Sequence, residues 1–496
     1  MRCRTSLRVL MCCTLVVLAS AAASAAVKLP ALIGDNMVLQ RGQPVHIWGW
    51  ADKGEEVTVT VAGQTLTAKA GDDGRWKVTL DKLTVGRPLE MTVKGSSGNA
   101  ITVKNIAVGE VWVCSGQSNM EMGIRQIDNA ENEIAAANYP SIRLMLQPKT
   151  FGVVPMTIPS GQWKVCSPET IIQNGWEGFS AAGYFFGRRL HDELKIPIGL
   201  ISTSWGGSPV EAWIEAGVLA KHPDFSDAVE RLHMLNSIEG IDNFAASPDT
   251  EAQIVWTPGA LYNGMIAPFV KFGICGTIWY QGESNAARGF QYRSLLTMMI
   301  EDWRKKWDQG NFPFYIAQLA NWANELPPAQ TPEDSDWAEL RESQAYVAKT
   351  VPESGLAVMI DIGDSIDIHP KNKQDAGIRL ALIALAKYYK KDIPFSGPEY
   401  KTHTVEGSSV RLSFNHADGG LTAKNGALKG FAIAGLDKKF YWANAVIERD
   451  TIVVSSPNVA EPAAVRYAWA MDPVCNLYNG AGLPAVPFRT DGWNRY

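Results

Sequence analysis

Cysteine is scarce in this chain of 496 residues, with seven in all, three of them (Cys3, Cys12, Cys13) within the first 25 positions. The remaining four, Cys114, Cys166, Cys275 and Cys475, are scattered and form no CxxC pair. That spacing excludes a zinc ribbon and a disulfide-dense scaffold, although one bridge stays open in an oxidising compartment. No basic block occurs anywhere, so nucleic acid is excluded as a partner. After the first 25 residues no run is long and apolar enough for a membrane span. The chain also lacks Gly-x-Gly-x-x-Gly, a P-loop lysine, His-Glu-x-x-His and a Gly-x-Ser-x-Gly elbow, so no metal and no cofactor is expected.

The amino terminus has the layout of a leader: Arg2, Arg4 and Arg8, the apolar run Val9 to Val17, then the small residues Ala21 to Ala26. Residues 1–25 are read as a signal peptide of an exported protein, periplasmic or extracellular. Its removal takes the formal charge from −5 to −8, because three Arg are lost.

With 46% hydrophobic and 20% charged residues, the rest of the chain can bury more than one core. Residues 27–104 alternate in period two with a turn signal about every ten residues, as in Val57-Thr58-Val59-Thr60-Val61 before Ala62-Gly63, which predicts a small antiparallel β-domain. From 105 to 395 the pattern is short apolar runs, Ala107–Cys114, Ile198–Thr203, Ile274–Tyr280, Phe314–Leu319 and Leu356–Ile362, between segments of helical period such as Tyr292, Leu295, Leu296, Met299 and Trp303. Strands covered on both faces read this way, which predicts a three-layer α/β parallel sheet. Strand signals return in 396–496, expected to be a second β-region set against the first. The polar stretch 321–336 is expected to be a loop over the site.

Open α/β sheets bind ligands at the carboxyl ends of their strands, and position therefore filters the candidates. Ser118 follows the first strand in Ser115-Gly116-Gln117-Ser118-Asn119-Met120. There its hydroxyl is seated as a nucleophile and its amide faces an oxyanion, the alternative being a plain helix cap. Ser204-Trp205-Gly206-Gly207 ends the second strand, and Gly207 is the preferred second oxyanion donor, the alternative being a tight turn. Trp279-Tyr280-Gln281-Gly282-Glu283-Ser284-Asn285 completes the third, where the Gln281 side-chain amide suits an oxyanion. Glu283 reads as a hydrogen-bond acceptor rather than a base, since no second carboxylate motif matches it, which argues against a glycosidase.

His369, one of seven histidines, follows the last strand in Asp361-Ile362-Gly363-Asp364-Ser365-Ile366-Asp367-Ile368-His369-Pro370. A serine-activating imidazole needs an acceptor on its other nitrogen, and Asp367, Asp364 or Asp361 can serve. Gly363-Asp364-Ser365-Ile366 is similar to a Gly-Asp-Ser-Leu esterase signature, but Ser365 lies four residues from His369 and after the wrong strand. Asn119, Trp205, Glu283 and Asn285, in the same stretches, are the expected substrate contacts. Of 17 Trp, Trp112, Trp205, Trp279 and Trp322 fall near strand ends as sugar platforms or core.

Taken in order, Gly109-Glu110-Val111-Trp112 leading into Ser115–Glu121, Ser204–Gly207, Trp279–Asn285, Asp367–Lys373 and Val465-Arg466-Tyr467-Ala468-Trp469 resemble the sialate O-acetylesterase family of the SGNH hydrolase superfamily. The resemblance implies a flavodoxin-like catalytic domain between β-sandwich-like regions and hydrolysis of O-acetyl groups on carbohydrates. It implies Ser118 as nucleophile, His369 as base, and Gly207 and Gln281 as oxyanion partners. Many members carry Asp three residues before the His. That position is Ile366, so Asp367 or Asp364 orients the ring, or a Ser–His pair acts without a strong third member. Acetylated plant polysaccharide, xylan or xyloglucan, is an alternative substrate, and a non-catalytic carbohydrate-binding protein is the rival class. An anionic sugar would need a cation such as Arg125 or Arg288.

Overall fold

The structure, a computed structural model, describes residues 27–239, 241–323, 332 and 334–493. The expected leader and most of the polar stretch 321–336 lie outside them.

One strand organises the molecule. β1 (Ala100–Gly116) is 17 residues long; its first third is partly exposed and its last eleven residues are buried. The first part pairs antiparallel with Leu89–Gly95 of the amino-terminal region, and the second lies parallel in the central sheet. The boundary expected at 104/105 therefore falls inside a continuous strand. Upstream, Val45–Trp50 pairs with Arg75–Leu80, and Glu56–Val61 with Gln64–Lys69, all antiparallel. The alternating burial of Arg75–Leu80 is that of a strand with one wet face.

The other strands of the central sheet are β2 (Tyr139–Leu146), β3 (Trp163–Cys166), β4 (Ile198–Ser204), β5 (Gly276–Tyr280), β6 (Phe314–Ala317) and β7 (Ser354–Ala357). Their order is β7-β6-β5-β1-β4-β2-β3, parallel throughout except for β3, which runs against β2. The expected α/β class holds, with a mixed rather than wholly parallel sheet. β2 and β3 were not expected: Pro140, Ser141 and Arg143 break the apolar run of one, and the other has four residues. The final strand is shorter than Leu356–Ile362, since Val358–Ile362 leaves the sheet.

Successive residues of a strand face opposite sides, and the two cores show it. Val111 and Val113 join the core that contains Tyr292 and Leu340, from α3 (Gly289–Trp307) and α4 (Asp336–Thr350). Trp112 and Cys114 join the core that contains Phe185 and Leu380, from α2 (Ala181–Leu194) and α5 (Lys373–Ile383). Both faces are covered, which is why these runs read as continuous apolar sequence. A further short helix, α1 (Ser118–Glu121), follows β1 directly. Among the described residues no helix is long and apolar enough to cross a membrane, and all four cysteines are free, so the bridge left open is not formed.

The carboxy-terminal region forms four-stranded sheets, one holding Ser409–Asn415 and Thr451–Ser455, the other Phe431–Ala434 and Ala464–Tyr467. It does not sit against the amino-terminal strands as expected. Its core includes Val358 and Ile360 from the loop after β7 and, among the described residues, none from 27–104. Polar contacts fasten the same junction. Arg341 of α4, fully buried, donates to the carbonyls of Leu319, Ala320, Ala470 and Met471. Asp361 accepts from Arg379 and from the Tyr478 hydroxyl at 3.0 Å. Removing one member of such a network leaves several buried carbonyls unpaired, at about 1–3 kcal/mol each. Arg341→Leu is expected to lower the thermal midpoint and to make the carboxy-terminal region susceptible to limited proteolysis before the central sheet.

Candidate active site

β4, β1 and β5 are neighbours, so the turns after them meet at one edge. The turn after β1 is tight: Gly116 has φ +144°, and a Cβ there would stand 2.1 Å from the Tyr280 carbonyl of β5. The Gln117 amide donates to that carbonyl at 3.0 Å and the Trp205 amide to Gly116 O at 3.1 Å, tying the three turns together. Ser118 is the first residue of α1; the cap position is Gln117, so the serine hydroxyl is not spent on capping.

It is spent on His369. Ser118 Oγ lies 2.9 Å from His369 Nε2, although 251 residues separate them and the histidine comes from a loop beyond β7, three strands from β1. The edge of His369 meets Trp176, ring centroids 5.1 Å apart and nearly perpendicular. Burial holds the imidazole pKa below its ordinary value of 6.5, the Asp367 charge raises it, and the Lys373 charge lowers it further. The neutral form, the one that accepts a proton, therefore prevails at neutral pH.

Of the three aspartates, Asp367 is the one beside the ring. Its Oδ1 accepts from the His369 amide at 2.8 Å and lies 3.7 Å from Nδ1, a charge contact rather than a direct hydrogen bond to the ring. Asp364 accepts instead from the amides of Ile366 and Asp367 and shapes the loop. Asp361 is held by Arg379 and Tyr478. Ser365 donates to Asp472 at 2.6 Å, while the imidazole of His369 is paired with Ser118.

A cleft of about 1050 Å³ opens over Ser118, with Gly206, Gly207, Trp176, Lys149 and Trp256 in its walls. Gly207 has φ +72° and open space where a Cβ would stand; Gly206 packs beneath, its amide donating to Glu121 at 2.6 Å. The Ser118 amide, at the first position of α1, has no intrahelical acceptor.

Other expectations need correction. Gln281 is fully buried and faces inward: Nε2 donates to Ser208 O at 3.1 Å and to Asn285 Oδ1 at 2.8 Å, while Oε1 accepts from Tyr292. Both of its amide protons brace the wall, which leaves none for an oxyanion. Asn285 is locked by the Val210 amide and by Glu211. Trp205 has no exposed surface and donates to Glu251 at 2.8 Å; Trp112 and Trp279 are core as well. Asn119 and Glu283 lie behind the serine, joined at 2.6 Å. None of these four expected substrate contacts lines the cleft. Arg125 and Arg288 are paired with Glu177 and Glu211.

Trp176, Glu121 and Lys373 are the residues that sequence reasoning passed over as site members. For Trp176 a signal was present: Asn174, Gly175, Glu177 and Gly178 all have positive φ, a turn that Asn and Gly announce.

Residues 108–384 match the family model "Carbohydrate esterase, sialic acid-specific acetylesterase". The chain belongs to this family. Mouse sialate O-acetylesterase is 30% identical over 92% of this chain and 93% of its own, and the human protein is 29% identical over 92% and 91%. Among solved structures, a carbohydrate acetylesterase from Xanthomonas citri superposes with a TM-score of 0.83 at 36% identity, covering 94% of this chain and all of the other. Like its family, the protein is an ester hydrolase of O-acetylated sugars.

The electrostatics make a directional prediction. An activity that depends on neutral His369 is expected to show kcat/KM falling on acidification with a midpoint below 6.5. Asp367→Asn removes the charge that raises the imidazole pKa and should move that midpoint to lower pH, readable from the pH profile of a soluble acetyl ester.

Proposed function

We propose that this protein is a serine O-acetylesterase of acetylated sugars in which Ser118 is the nucleophile and His369 the base, and the observation that carries the reading is the 2.9 Å contact between His369 and the serine that lines the cleft. His369 Nε2 takes the Ser118 proton as Oγ attacks the acetyl carbonyl. The oxyanion forms against the amides of Ser118 and Gly207. His369 then gives its proton to the departing sugar hydroxyl, leaving acetyl-Ser118; water, deprotonated by the same imidazole, attacks the acyl carbon, and acetate and free serine are regenerated. Asp367 supports the imidazolium by charge across 3.7 Å, so the working unit is a Ser–His pair with an electrostatic third member.

The order β4-β1-β5-β6-β7 corresponds to the 2-1-3-4-5 order of flavodoxin-like sheets. We read 108–384 as that catalytic unit and the flanking regions as β-sandwich-like supports. The leader-like amino terminus supports an exported enzyme, periplasmic or extracellular.

The sugar most in keeping with the named relatives is an O-acetylated sialic acid. Acetylated xylan or xyloglucan is the alternative, and the cleft favours keeping it: Lys149 is already compensated by Glu121 and Glu251 at 3.2 and 3.3 Å, so an anionic sugar gains little from it. Acetate release measured in parallel from O-acetyl sialosides, acetyl xylan and acetyl xyloglucan separates the two. Ser118→Ala should lose roughly 10⁴-fold or more of turnover on every one of them while keeping the wild-type circular dichroism. Acetate release by that variant at the wild-type rate would overturn the assignment, and glycan binding without hydrolysis by the wild type would favour the carbohydrate-binding class.

A further inference from the structure

Behind the Ser–His pair lies a polar network to which the proposed chemistry assigns no task. Lys373 is 1% exposed, and its Nζ donates to Asn119 Oδ1 at 2.9 Å and to the Pro370 carbonyl, with the Tyr280 ring 5.8 Å away. Asn119, the residue after the nucleophile, donates from Nδ2 to Ile368 O at 3.0 Å and to Glu283 Oε1 at 2.6 Å. The carbonyls on both sides of His369 are thus gripped by one network whose hub adjoins Ser118.

The arrangement is energetically adverse for the fold. A buried ammonium is costly unless compensated, and burial brings Lys373 down to about 7, with Glu283 opposing the shift. Glu283 is hydrogen-bonded to it through Asn119 rather than directly, and its Oε2 is enclosed with no partner. Lys373 is also the first residue of α5, where the helix dipole disfavours a cation. Packed apolar side chains commonly serve stability as well as a buried ionic pair does, so the gain must lie in geometry. The base arrives on a long loop, and its ring is held from the sides only by the Trp176 contact and the charge of Asp367, so the loop's backbone carries much of its placement.

We propose that Lys373 is the positioning residue of the Ser118–His369 pair, holding the base's loop against the nucleophile's turn through Asn119 and Pro370. This rests on the Ser118–His369 reading above.

The test is Lys373→Met, Asn119→Ala and the double variant, assayed on a soluble acetyl ester with circular dichroism and melting alongside. Misplacing a catalytic group by about 1 Å costs on the order of 10²-fold. Lys373→Met should lower kcat by about that factor and leave KM within about threefold. His369 faces Asp367 and Lys373, and Lys373 faces Glu283, Asp367 and Asp128; loss of the Lys373 charge should therefore move the acid limb of kcat/KM to higher pH. Asn119→Ala should cost little more in the Lys373→Met background, because both act through one path. The proposal is overturned if kcat of Lys373→Met stays within threefold of wild type, if the acid limb does not move, or if the two losses multiply in full. Should Lys373→Met not fold, Asn119→Ala alone decides: a kcat-specific loss supports the proposal and unchanged turnover overturns it. An inactive Ser118→Ala beside a fully active Lys373→Met would sink the positioning role alone, whereas an active Ser118→Ala would sink the esterase assignment beneath it.

Discussion

Parallel pairing of β4, β1 and β5 is the constraint on which the rest depends. Seven residue pairs join β4 to β1 and five join β5 to β1, ending at Ser204–Gly116 and Tyr280–Gly116. Because those registers terminate on one glycine, the turns bearing Ser118, Gly207 and Gln281 emerge side by side. The turn can close only without a side chain at 116. Burial on both faces keeps the pairing from slipping, since a shift of one residue would move Trp112 and Cys114 into the wrong core.

The proposed nucleophile and base obey different physics. Ser118 is placed by local structure, a strand end running into a helical turn. His369 is placed from a distance, since its loop leaves the sheet at Ala357 and runs through residues 358–372 before α5. That loop is held by its neighbours: Val358 and Ile360 in the carboxy-terminal core, Asp361 by Arg379 and Tyr478, Ser365 by Asp472, and Ile368 and Pro370 by Asn119 and Lys373. The carboxy-terminal region therefore helps to hold the loop that carries His369, without lining the cleft near Ser118.

The polar side chains of the motifs divide into two layers. Glycines and main-chain amides face the cleft, while Gln281, Asn285, Asn119 and Glu283 stand behind it, hydrogen-bonded to one another and to the surrounding wall. A buried amide must be paired, and a side chain already paired on every proton cannot also answer a charge that develops during reaction. This is why Gln281, the right residue type at the right strand end, is a brace.

Much of this was legible in the sequence: the change from alternating to continuous apolar runs at 105, the three strand ends, and Ser118 and His369 as partners. Strand periodicity and position along the chain carry that information, because they follow from local chemistry. The broken run of β2, the strand that crosses the 104/105 boundary, Trp176 in the cleft wall and the choice of Asp367 over Asp364 did not follow. Each depends on where a side chain points and what it meets across long sequence separations. The amino-acid sequence by itself determined which residues could react; only the tertiary structure decided which face the substrate, because that turns on hydrogen bonds between residues as far apart as Asn119 and Lys373.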